Sequence, residues 1–87
     1  MQAQVKPAVQ PNCPPLRFTT GASIKAYRAK HKLTQIQFWN RVDVTQSCGS
    51  RYEAGRRIPL QILYLLHFAY GTPRQAGLLQ DWLRRKP

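Results

Sequence analysis

Gln46, Ser47, Ser50 and Arg51 stand at spacings that gather all four on one face of a helix, with Gly49 and Tyr52 on the opposite face. Such a face offers recognition chemistry. Gln matches the N6 and N7 edge of adenine, Arg the O6 and N7 edge of guanine, and Ser pairs with either donors or acceptors. An ordinary solvated helix face would carry the same residue types, so the charge around them matters. The chain has 14 Lys plus Arg against three Asp plus Glu, a formal net charge of +11 in 87 residues. A compact monomer so charged repels itself unless a polyanion neutralises it, and nucleic acid is the leading candidate.

Catalysis and metal binding find little support in the same inventory. Three acids supply no carboxylate pair for acid–base work, and His31, His67, Cys13 and Cys48 show no zinc spacing. A domain this short buries only about 60% of its unfolded surface, which leaves little room for both a deep cleft and a sound core. Neither an enzyme nor a resident cofactor or metal is expected. Cys48 reads as a small packing residue, and two cysteines are too few for a disulfide framework, which suits a reducing cytoplasm. The first residues do not form a signal peptide and no apolar run reaches the ~20 residues of a membrane span, so a cytoplasmic location is expected.

The elements that must position the recognition face are short helices, since no stretch alternates apolar and polar residues for long. Residues 1–17 hold four of the seven prolines and read as a flexible tail, leaving 18–87 as one folded domain. A first helix is expected over 20–31, with Ile24, Tyr27 and His31 along one face. Thr34 and Gln37 form a capping box, with Leu33 and Phe38 at the flanking staple positions, so a second helix starts at 34 and ends near Asp43. It presents Phe38, Trp39 and Val42 on one side. Thr45 can cap a third helix to about Ala54, which Gly55 ends. A fourth follows Pro59 over 60–70, stopped by Gly71. Thr72, Pro73 and Gln75 supply cap, first-turn proline and capping-box glutamine for a fifth, ending near Arg85.

The order Leu33-Thr34-Gln35, then Val44-Thr45-Gln46-Ser47, then Ser50-Arg51-Tyr52-Glu53-Ala54-Gly55-Arg56-Arg57 resembles the phage-repressor and Cro (XRE-like) helix-turn-helix family over roughly residues 22–70. The resemblance implies an all-α, five-helix repressor-like domain whose second helix crosses the DNA backbone and whose third enters the major groove. It assigns base contacts to Gln46, Ser47, Ser50 and Arg51. Phosphate contacts fall to Gln35, Thr45, Arg56 and Arg57, where helix starts and cations meet the backbone. It also pairs Arg28 of the first helix with Glu53, whose charge would otherwise repel phosphate.

Two positions depart from that family's pattern: Trp39 stands where a small residue is usual, and Gly49 where a branched apolar one is usual. Those positions pack on each other in the family, so a large side chain has moved from one helix to the other. The fourth helix is apolar on more than one face, and the fifth adds Leu78, Leu79, Trp82 and Leu83. This excess implies a homodimer through helices four and five. The expected function is sequence-specific binding of double-stranded DNA at a two-half-site operator, as a transcriptional regulator acting by repression. An alternative is an antitoxin-like interaction module in which helix four or the tail grips a protein partner, with RNA binding third.

Overall fold

The computed structural model describes residues 13–86, and among these the chain is all-helical. Five helices follow one another: α1 (Gly21–His31), α2 (Gln35–Asn40), α3 (Gln46–Glu53), α4 (Leu60–Tyr70) and α5 (Pro73–Arg85). Local chemistry accounts for most of the boundaries. The hydroxyls of Thr20, Thr34, Thr45 and Thr72 each accept the backbone N–H of the residue three further on, at 3.1–3.2 Å. Thr34 and Thr72 complete full capping boxes, their own N–H groups donating to Gln37 Oε1 at 2.9 Å and Gln75 Oε1 at 2.8 Å. Each cap satisfies donors that a bare helix start would leave unpaired.

Two of the helix ends, those of α1 and α3, use the left-handed region. Lys32 closes α1 at φ 57°, and Gly55 leaves α3 at φ 118°. A β-carbon at Gly55 would be strained by that backbone, which is the reason for glycine there. Helix α2 ends at Asn40, three residues before the expected limit. The Trp39 carbonyl is drawn into the turn instead, accepting from both Val42 and Val44 N–H at 3.1 Å. Asp43, at φ 60°, then redirects the chain into α3.

Helix α3 packs against α1 and α2, and α5 packs against α4. Phe18, Ile24, Phe38, Trp39, Leu63 and Leu66 form the centre of the core, with Val42, Tyr52 and Ile58 closing it. The Phe38 and Tyr70 rings stack at 4.4 Å, and the Tyr70 hydroxyl donates to the Phe38 carbonyl at 2.6 Å, tying α4 to α2. One contact sets how near α1 comes to α3: a β-carbon on Gly21 would overlap the Tyr52 carbonyl. Only glycine lets the start of α1 rest on the end of α3.

The expected tail over 1–17 lies outside the described residues as far as 12. Of its remainder, Leu16 and Arg17 touch the folded residues. Leu16 lies against the core, and the Arg17 guanidinium covers the Phe18 and Tyr27 rings at 4.6 and 5.0 Å. The Arg17 N–H donates to Nδ1 of the fully buried His67 at 2.8 Å. His67 Nε2, 2.9 Å from the Gln75 carbonyl, therefore carries the ring proton. One imidazole thus joins the N-terminal segment, α4 and α5.

Candidate nucleic-acid interface

Helix α3 turns Gly49 and Tyr52 inward and leaves Gln46, Ser47, Ser50 and Arg51 exposed. Nothing else in the described chain occupies these four side chains, and together they offer the mixed donors and acceptors that base edges require. The exposed Thr45 precedes them, its hydroxyl oxygen engaged by the Cys48 N–H. Cys48 itself is half-buried and packs against the core. Arg56 and Arg57 follow the Gly55 turn, where the Arg56 N–H returns to the Arg51 carbonyl at 3.0 Å, and both side chains are exposed. Cations on a loop at the end of such a helix suit a phosphate backbone.

The inner side of α3 is held by one carboxylate. Glu53, with a side chain only 3% exposed, accepts Arg28 Nε at 2.8 Å and Arg28 Nη2 at 2.7 Å in a two-pronged pair. Trp39 Nε1 donates to Glu53 Oε2 at 2.8 Å, and Gln35 Nε2 approaches Oε1 at 3.4 Å. The remaining Arg28 prong, Nη1, donates to the Leu33 carbonyl at 2.9 Å. Burial opposes the charge on Glu53, but the Arg28, Trp39 and Gln35 donors outweigh it and hold the carboxyl below the usual carboxylate range. The carboxylate therefore stays charged, internally neutralised, and fastens α1 and α2 to the end of α3.

Gln35 is the first residue of α2, and its half-buried amide lies at the Glu53 end of α3. One of its two amide hydrogens faces the carboxylate, which leaves the other for an incoming acceptor. Trp39, fully buried, lies across Gly49: a β-carbon there would overlap indole atoms Cδ1, Cγ and Nε1. The exchange of large and small residues between α2 and α3 is thus a direct contact. Sequence reasoning located that pair but missed the hydrogen bond from the indole to Glu53. Its only signal was that Gly49 and Glu53 lie one helical turn apart, so a ring placed over one comes within reach of the other.

Among the described residues, no group of three or more His, Cys, Asp or Glu is placed to hold a metal ion. None of the described helices is long and apolar enough to cross a membrane. Comparison with curated proteins and with solved structures returns no match. Comparison with protein families matches residues 25–69 to the RsaL-like HTH domain, a span that begins inside α1, includes α2 and α3, and ends in α4. By that match, over more than half its length, the chain belongs to the RsaL-like HTH domain family, DNA-binding helix-turn-helix domains of the repressor type.

Proposed function

We propose that this chain is a sequence-specific transcriptional repressor of the cytoplasm that occupies a two-half-site DNA operator as a homodimer. Helix α3 enters the major groove, where Gln46, Ser47, Ser50 and Arg51 read base edges. Gln35, Thr45, Arg56 and Arg57 hold the flanking phosphates. The observation that carries this reading is the contrast between the two faces of α3: four exposed polar side chains outside, and a buried, neutralised Glu53 inside. A carboxylate left exposed at that point would oppose a phosphate backbone. The net charge of +11 adds a sequence-independent attraction that salt should weaken.

The dimer rests on apolar surface outside the core. Leu65 and Phe68 of α4, 47% and 40% exposed, lie one turn apart, and Leu78 of α5 is 47% exposed. A second copy meeting the same surface by two-fold symmetry would cover it and would present two α3 helices to one side of a duplex. Sedimentation with and without duplex DNA, followed by a hydroxyl-radical footprint, tests the reading. The expected result is a dimer protecting two half-sites whose centres lie about one helical turn, ~34 Å, apart. A monomer protecting one half-site at micromolar concentration would refute the dimeric mode.

A further inference from the structure

Helix α3 is an eight-residue rod whose middle position on the buried face, Gly49, carries no side chain. There the flat indole of Trp39 meets bare backbone, and the inner face of α3 is keyed only by Tyr52, three residues on, whose ring lies 5.6 Å from the same indole. Three side chains reach Glu53 and oppose rotation of α3 about its axis; Gln35 is the most distant at 3.4 Å, and the other two differ in kind. Arg28 reaches the carboxylate from α1 through a long side chain whose several rotatable bonds can follow a small displacement of its partner, even with Nη1 on the Leu33 carbonyl. Trp39 cannot follow. Its ring is fully buried, lies against Phe38 at 5.1 Å and Tyr52 at 5.6 Å between centroids, and has only two side-chain torsions.

From this geometry we infer that Trp39 is a positioning residue for base readout, its ring on Gly49 and its indole N–H on Glu53 together fixing the roll of α3. The inference deepens the function proposed above and rests on it. Roll decides which atoms of Gln46, Ser47, Ser50 and Arg51 meet a base edge. A roll of roughly 20° moves a side-chain tip ~6 Å from the helix axis by about 2 Å, more than the window of a good hydrogen bond. Arg28 supplies the charge that neutralises Glu53 and ties α1 to it, while Trp39 adds a neutral donor and the rigid ring that sets the roll of α3.

The test uses the full chain and an operator fragment recovered with the wild-type protein from random duplex DNA. One variant joins Trp39→Phe with Gly49→Ala, which removes the N–H and restores part of the lost volume. A second carries benzothienylalanine at position 39, which keeps the ring's shape and replaces the N–H by sulfur, so the measurement survives if the first variant fails to fold. The readouts are affinity for operator and for scrambled duplex at one salt concentration, and the slope of affinity against salt. Operator affinity is expected to fall roughly tenfold, with base preferences broadened, while scrambled-duplex affinity and the salt slope stay as in the wild type. A ratio of operator to scrambled affinity within twofold of the wild type in the shape-matched variant overturns the inference alone. A wild type that prefers no duplex overturns the proposed function and the inference with it.

Discussion

Replacing Arg28 by Ala removes the two-pronged donor from a carboxylate that has only 3% of its side chain in solvent. Breaking a buried ion pair from one side costs about 3–5 kcal/mol, because the surviving charge is stranded. Trp39 and Gln35 still donate to Glu53 in the variant, which places the expected loss near the lower end, about 3 kcal/mol. For a domain of this size each kcal/mol shifts the melting temperature by about 4–8 °C, so a drop of roughly 12–24 °C is expected at pH 7.

The pH dependence supplies an independent sign. In the wild type the Glu53 carboxyl is held below its ordinary value, so its contribution is complete above the usual carboxylate range. That contribution is lost as pH falls through the lower folded value. Without Arg28, burial dominates and favours the protonated acid, so the gap between variant and wild type should narrow as pH falls toward ~4. Calorimetric melts of wild type, Arg28→Ala, Glu53→Gln and the double variant between pH 4 and 8 measure both effects. A melting shift of a few degrees at most, no coupling in the cycle and a gap independent of pH would show that the pair is merely superficial.

Trp39→Ala should open a cavity and cost about 3–5 kcal/mol, while Gly49→Ile forces a side chain into the indole and should cost about 1–3 kcal/mol or more. The double variant should melt above Trp39→Ala alone, and strict additivity would contradict a shared site. Arg51→Ala should lose roughly 1–3 kcal/mol of DNA affinity and relax the preference at one base position, whereas Arg56→Ala should weaken all duplexes alike and lower the salt slope by about one. Binding isotherms on operator and scrambled duplex separate the two. His67→Ala should strand the Arg17 N–H and the Gln75 carbonyl in a cavity, costing about 2–4 kcal/mol and exposing the Arg17 amide to hydrogen exchange. An unchanged exchange rate there would mean the N-terminal segment is held by other contacts.

What could be read from the sequence is what neighbouring residues decide. Thr34 with Gln37, and Thr72 with Gln75, announce helix starts through bonds that span three residues, and both capping boxes are present. Gly55 and Asp43 mark turns for the same local reason. The contact between Trp39 and Gly49 was legible because two residue sizes were exchanged at positions expected to touch. Three features were not legible. The Trp39 indole reaches Glu53 across 14 residues of sequence, and the Arg17 N–H reaches His67 across 50. Gly21 is required by a carbonyl of α3, which no pattern around it reveals. Each depends on how helices sit against one another, and residue types do not encode that distance. Arg41 and Val42 continue the pattern of α2 in the sequence, but the helix ends before them because the Trp39 carbonyl is committed to the turn.

The claim on which the rest depends is that the exposed face of α3 reads DNA sequence. Incubating the full chain with a pool of random duplexes at near-physiological salt, then sequencing the bound fraction over successive rounds, addresses it directly. The account predicts enrichment of one short motif in two inverted copies about one helical turn apart, lost when Gln46 and Arg51 are both changed to Ala. A bound fraction whose sequences remain those of the starting pool would contradict it, because the charge would then bind DNA without the helix reading it.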